Sequence, residues 1–177
     1  MTDTFSFVNG PSSGTISMSQ KTAGKKICIA ISTTGCNIVL DQNEIISLRG
    51  KMLTVGNVNS GSILFGDVDL GHKETKFVSG DDISGTGANV IFHNNLSLEA
   101  KEDISFISGS SFEAHVSGLN TTFTAKADSD QTDGGGFTLD STSSITTRGG
   151  NVSITGNTIS PSGSNPSNII TNGGTYT

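Results

Sequence analysis

Two adjacent carboxylates, Asp81 and Asp82, follow Gly80, and three more, Asp128, Asp130 and Asp133, lead into the run Gly134-Gly135-Gly136. Paired acids have the chemistry for hydrolysis of a glycosidic bond, provided that the two carboxyl groups sit at a fixed separation across it. The bland reading of Asp81-Asp82 is a solvated turn, and it carries more weight. The Asp128–Gly136 cluster puts hard oxygen donors on a flexible segment, which suits weak calcium binding and no other cofactor. Its spacing matches neither an EF-hand loop nor a repeated Gly-Gly-x-Gly-x-Asp unit. His72, His93 and His115 are far apart in the chain, and Glu113 and His115 alternate with Phe112, Ala114 and Val116 as an exposed pair on one strand face. Asp67 and Asp69 alternate in the same way with Val68 and Leu70, as on a solvated face. Cys28 and Cys36 are close enough in sequence to close a local loop in an oxidising compartment; the other reading is two unpaired small hydrophobes. Neither a Gly-x-Ser-x-Gly elbow nor a phosphate-binding glycine loop is present.

Any such residues must be positioned by strands. Ser (26), Thr (22), Asn (14) and Gly (23) fill nearly half of the 177 residues, while hydrophobic residues account for 32% and charged ones for 15%. That composition excludes a helical bundle, which needs Ala, Leu, Glu and Lys in bulk. Steady recurrence of Val, Ile and Phe with a net charge of −6 argues against disorder. The ten Lys and Arg are scattered without a basic stripe or interleaved aromatics, so nucleic acid is not an expected partner. The longest unbroken apolar run, Ile27–Ile31, is too short to span a bilayer, and the N-terminus lacks the charged and apolar regions of a signal peptide.

Apolar residues alternate in short runs bounded by Gly, Asn or Ser, among them Ile63-Phe65, Val90-Phe92, Ile104-Phe106, Phe137-Leu139 and Val152-Ile154. Period two over four to six residues means half-buried strands. Strand starts near Leu96, Ile104, Phe112 and Phe123, then Ile145, Val152, Ile159 and Ile169, return after three steps at intervals of 24 to 27 residues. Three short strands per repeat predict a parallel β-helix, a single-stranded solenoid of about seven coils. A β-sandwich is the rival, but Asn-Gly and Asp-Gly hairpin turns between apolar runs are scarce. Residues 43–177 are expected to form the solenoid, with 128–136 as an insertion loop. Residues 1–42, including a hairpin over Lys25–Asp41 around Thr33-Thr34-Gly35, are expected to form an irregular cap. No window has the periodicity of a helix.

The segments GGGFTLDSTSSITTRGGNVSITGNTIS and NIITNGGTYT, and more loosely LSLEAKEDISFISGSSFEAHVSG, resemble the repeats of filamentous-haemagglutinin-type exoproteins secreted by the two-partner route. The resemblance covers about half of the chain. It implies a right-handed parallel β-helix, a location outside a bacterial cell or on its surface, and an adhesive or structural role. The secretion domain that opens such passengers is not evident here.

The expected function is therefore a non-catalytic extracellular module, a rigid polar rod that binds a surface protein or glycan. One alternative is a filament subunit that stacks head to tail through Ile169, Ile170 and Tyr176. The third is a polysaccharide-acting enzyme; polygalacturonases combine an Asp pair with Gly-His-Gly and Arg-x-Lys segments, but Gly71-His72 and Arg49-Gly-Lys51 both precede Asp81-Asp82 here.

Overall fold

A computed structural model describes residues 14–31, 35–115, 120–132, 134–161 and 168–177. These residues form three sheets whose strands are all parallel. The first sheet contains β1 (Thr15–Met18), β4 (Met52–Gly56), β7 (Glu74–Ser79), β10 (Leu96–Ala100), β13 (Phe123–Lys126) and β16 (Val152–Thr155). The second contains β2 (Ile27–Ile29), β3 (Ile38–Leu40), β5 (Ile63–Phe65), β8 (Ile83–Thr86), β11 (Ile104–Ile107), β14 (Gly136–Leu139) and β17 (Thr158–Pro161). The third contains β6 (Val68–Asp69), β9 (Asn89–Phe92), β12 (Ser111–Ala114), β15 (Ser144–Thr146) and β18 (Ile169–Ile170). From β4 onward the chain visits the sheets in turn, so hydrogen-bonded neighbours are three strands apart.

Register follows the apolar period. Leu53 lies on Thr75, Thr75 on Leu96, Leu96 on Phe123 and Phe123 on Val152, so successive circuits take 22, 21, 27 and 29 residues. The insertion between β13 and β14 lengthens one of the long circuits. A bridge from Val152 to Tyr176 adds a further level to the six strands of the first sheet, and the second sheet has seven strands. Inward residues stack into one core. Phe112 packs edge-on against Phe106 (4.4 Å between centroids) and Phe123 (5.2 Å), and Phe65 meets Phe77 at 4.7 Å, within the range favoured by aromatic quadrupoles.

The N-terminal part departs from the sequence expectation in two ways. β2 and β3 pair in parallel, Ile27 on Ile38 and Ile29 on Leu40, so Lys25–Asp41 is not a hairpin. β3 instead adds a strand beyond β2 at the end of the second sheet, and β1 and β2 already pair with β4 and β5, so residues upstream of 43 share the sheet pattern. Residues 1–13 and Thr33-Thr34 of the expected cap lie outside the described residues. The second difference is a six-residue helix, α1 (Gln42–Ser47). Asp41 accepts from the Glu44 N–H while Glu44 accepts from the Asp41 N–H, a reciprocal capping box, and Ile45 is buried beneath it. The helix lies beside the edge of the third sheet, where Gln42 donates to the Asp69 carbonyl and accepts from its N–H, as a neighbouring strand would do. No helix among the described residues is long and apolar enough to cross a membrane.

Candidate functional site

One residue type recurs at the start of strands, directly before the first inward apolar side chain. Asp67 accepts from the Asn89 N–H, Asp82 from Asp103, Asn95 from Thr122, Asp103 from Gly136 and Asn151 from Thr175. Each donor is the register partner one circuit further on. A backbone N–H at a corner has no strand partner, and an Asx oxygen there offsets the cost of leaving it unpaired. These Asx rungs account for one of the two adjacent acids at Asp81-Asp82. Asp82 is committed to the Asp103 amide, and Asp81 accepts a hydrogen bond of 2.7 Å from the Ser62 hydroxyl. Partial burial raises the Asp82 pKa above the ordinary carboxylate value, the Asp103 amide opposes this, and the charges of Asp81 and Asp103 add to the rise.

Asp140 is the hub of another corner. Its carboxylate accepts from the Ser108 N–H (2.7 Å), the Ser143 hydroxyl (2.7 Å), and both the N–H and hydroxyl of Thr142. The Ser108 amide and then the Ser143 hydroxyl hold its pKa well below the carboxylate range, against a smaller desolvation effect. Beside it a column of buried hydroxyls continues the ladder: Ser143 Oγ accepts from the Ser110 N–H, and Ser110 Oγ from the Ala88 N–H.

The third sheet turns into the first at a corner of different character. His93 and His115 are in register and stack face to face with centroids 4.0 Å apart, and His72 stands edge-on to His93 at 4.5 Å. The three histidines, dispersed in sequence, form one column, and His115 is not half of an exposed pair with Glu113. Glu113 lies instead 3.2 Å from the Arg148 guanidinium, which occupies the next register position after His115 and donates to the Ala114 carbonyl. Asp69 Oδ1 lies 3.0 Å from His93 Nε2, so this carboxylate faces a ring and not only water. Above the column a groove of about 370 Å³ is lined by Ile46, Leu48, Arg49, Gly50, Gly71, His72 and Lys73. Lys73 is buried, with Nζ donating to the Ile45 carbonyl at 2.7 Å. Burial lowers its pKa, the Asp69 carboxylate opposes this, and Arg49 lowers it further.

The remaining expected residues fall in separate places. Asp130 pairs with Lys101 at 3.3 Å and accepts from the Thr132 N–H. Desolvation is the largest single influence and raises the Asp130 pKa, but the Thr132 and Lys101 contacts together outweigh it and hold it below the ordinary value. Asp128 adopts a positive φ of 52°, and Asp133 lies outside the described residues. Among the described residues no group of three or more His, Cys, Asp or Glu side chains is arranged to hold a metal ion. Cys28 and Cys36 form a disulfide with Cα atoms 5.9 Å apart. Ile170 and Tyr176 are exposed, and Ile169 is half-buried on Ile145.

The molecule these observations define is an all-β protein of three parallel-stranded sheets. Comparison with protein-family models, with curated proteins and with solved structures returned no match. Sequence reading missed the Asx rungs, although their signal is plain: Asp67-Val68, Asp82-Ile83, Asn95-Leu96, Asp103-Ile104 and Asn151-Val152 repeat one dipeptide pattern. It also missed the capping box at Asp41 and Glu44, and the histidine column, which only the register reveals.

Proposed function

We propose that this chain is a right-handed parallel β-helix acting as a structural and binding module outside a bacterial cell or on its surface, without covalent chemistry. The observation that carries the reading is the strand order, in which each sheet takes every third strand and presents outward residues in aligned rows. Aligned polar rows on a stiff scaffold suit recognition of an extended partner such as a surface glycan or protein. The Cys28–Cys36 disulfide favours an oxidising compartment. Asp82 is occupied by a backbone amide, which speaks for scaffold and against hydrolysis at Asp81-Asp82. The resemblance of residues 134–177 to filamentous-haemagglutinin-type repeats points the same way.

Negative-stain microscopy with light scattering on the purified chain, followed by glycan and cell-binding assays, tests this. Monodisperse elongated particles that bind are the expected result. Turnover of an acidic polysaccharide that disappears in Asp81→Asn or Asp82→Asn variants overturns it.

A second reading, self-association into a filament, is favoured by one observation. Ile159 is in register with buried Phe137 yet is 44% exposed, and Ile170 and Tyr176 are exposed nearby. Fibres that lengthen with concentration and vanish on Ile169→Lys or Ile170→Lys would establish this reading in place of the first.

A further inference from the structure

The turn at residues 147–150 recurs one circuit later. Thr147-Arg148-Gly149-Gly150 and Thr171-Asn172-Gly173-Gly174 share three of their four residues. The Thr147 hydroxyl donates to the Gly150 carbonyl, and the Thr171 hydroxyl to the Gly174 carbonyl. The second residue of each turn reaches back to the preceding circuit. Arg148 Nε donates to the Ala114 carbonyl at 2.8 Å, and Asn172 Nδ2 donates to the Thr147 carbonyl at 3.1 Å. Both turns enter the left-handed region, Gly149 with φ of 85° in the first, Asn172 with 49° and Gly173 with 112° in the second. Gly and Asn adopt such angles with the least strain, so the second turn calls for this pair.

The same pair is chemically labile, because asparagine is a thermolabile side chain and glycine leaves the following backbone nitrogen unhindered. Nothing in the fold shields it. Asn172 and Gly173 are both exposed, and a Cβ at Gly173 would meet no atom within 4 Å. The Gly174 N–H donates to the Thr171 carbonyl, but the Gly173 N–H donates no hydrogen bond among the described residues. We propose that Asn172 is a site of spontaneous deamidation, and that its conversion releases the last circuit from the sheets. The Gly173 nitrogen bonds to Cγ of Asn172, the Cγ–Nδ2 bond breaks, and Nδ2 leaves as ammonia with the Gly173 proton. Water then opens the cyclic imide, at Cγ to give aspartate or at the backbone carbonyl to give isoaspartate. Either product loses the Nδ2 donor and turns a carboxylate toward the Thr147 carbonyl, so two acceptors face each other. It is also the sole acidic side chain after Asp140. The bonds that follow the turn depend on its shape: Thr175 N–H to Asn151 Oδ1, Val152 N–H to the Thr175 carbonyl and Ile154 N–H to the Thr177 carbonyl. Isoaspartate adds a methylene to the backbone ahead of all three.

The test is incubation of the intact chain in mildly alkaline buffer, with peptide mapping by mass spectrometry at intervals. Expected is the mass increase of amide-to-acid conversion at Asn172 ahead of Asn151, Asn157 and Asn168, mostly as isoaspartate. Mapping separates it from Asn9-Gly10, the other Asn-Gly pair. The rate should fall in mildly acidic buffer, because the attacking nitrogen must shed a proton. Hydrogen exchange on the aged chain should show lost protection at Val152–Thr155 and residues 175–177, while β10 and β11 keep theirs. A fresh Asn172→Asp variant should show the same loss without ageing. An Asn172 that stays intact while a synthetic peptide of residues 168–177 deamidates in the same buffer overturns the proposal. So does a deamidated chain whose exchange at Val152–Thr155 is unchanged.

Discussion

The Asx rungs and the histidine column are both rows of side chains repeated from circuit to circuit, yet they do opposite things. Each rung oxygen is spent on a backbone N–H of the next circuit, as Asp103 is on Gly136. The histidine rings spend their faces on one another, and their corner has a groove beside it. A row that satisfies the backbone is scaffold. The histidine row is a stack of rings, with His72 at the rim of a groove. Similar residue types can therefore carry different duties, and the partner of each side chain, more than its identity, separates them.

The largest contrast between the corners should come from glycine. A Cβ at Gly135 would lie 2.3 Å from the Glu102 carbonyl oxygen, a backbone atom that cannot swing aside. Gly135→Ala should therefore cost several kcal/mol or prevent folding, seen as a large drop in thermal midpoint. At the histidine corner a Cβ at Gly71 would meet only the tip of Lys73 at 3.7 Å, and the price is its positive φ of 67°. Gly71→Ala should cost only about 1 kcal/mol. If the two variants melt alike, the corners do not differ in closeness of packing.

The next contrast removes the side chains themselves. Asp103→Ala strands the Gly136 amide and should destabilise by about 1–3 kcal/mol in chemical denaturation. His72→Ala removes an exposed ring and should stay within about 0.5 kcal/mol. A His72 variant as damaging as Asp103→Ala would mean that the histidine column is scaffold as well.

Acid separates the rows further. The Asp140 pKa is depressed in the folded state, so its stabilisation is fully present above the ordinary aspartate value of about 3.9 and is lost as pH falls below it. Asp140→Asn should reduce stability at neutral pH, and its gap from the parent should close in acid. The Asp82 pKa is raised, so its sign is reversed: the folded state gains relative to the unfolded one as pH falls through that pKa. Asp82→Asn keeps an oxygen for the Asp103 amide, so its thermal midpoint at neutral pH should be unchanged or slightly higher. Thermal melts over a pH series check both directions.

The disulfide belongs to neither corner, so its removal should change the contrast between them least. Cys28→Ser with Cys36→Ser opens a short loop and should cost roughly 2–3 kcal/mol on the chain-entropy scale. Much of that should stay local to β2 and β3, leaving the melting of the remaining sheets least changed of all. Hydrogen exchange resolved along the chain would show whether the loss is confined there.

Most strands were legible because their signal is local. Ile63-Phe65, Ile104-Phe106, Phe123-Ala125 and Val152-Ile154 each alternate within the strand that they form. β7 was not, since Glu74–Ser79 buries Thr75 and Ser79 alongside Phe77 and so weakens the apolar pattern. α1 was hidden by its brevity: six residues are too few for a helical period, and only the Asp41–Glu44 box announces it. The histidine column was illegible for a different reason. His93 and His115 meet only because Phe92 lies on Ala114, and no local pattern encodes that register. The partner of Asp82 was illegible on the same ground, because sequence does not show which backbone amide will claim a carboxylate.

In the proposed β-helix, the register from Leu53 through Thr75 to Leu96 also makes length a quantity that changes in whole steps. Excising residues 74–94 would remove one complete circuit and lay β10 directly on β4 with every inward residue still inward. An excision half as long would rotate the downstream chain onto the wrong sheets. Such a molecule can be shortened or lengthened like a ruler, by whole graduations, and its reach becomes something that duplication and loss of circuits can tune without redesigning the core.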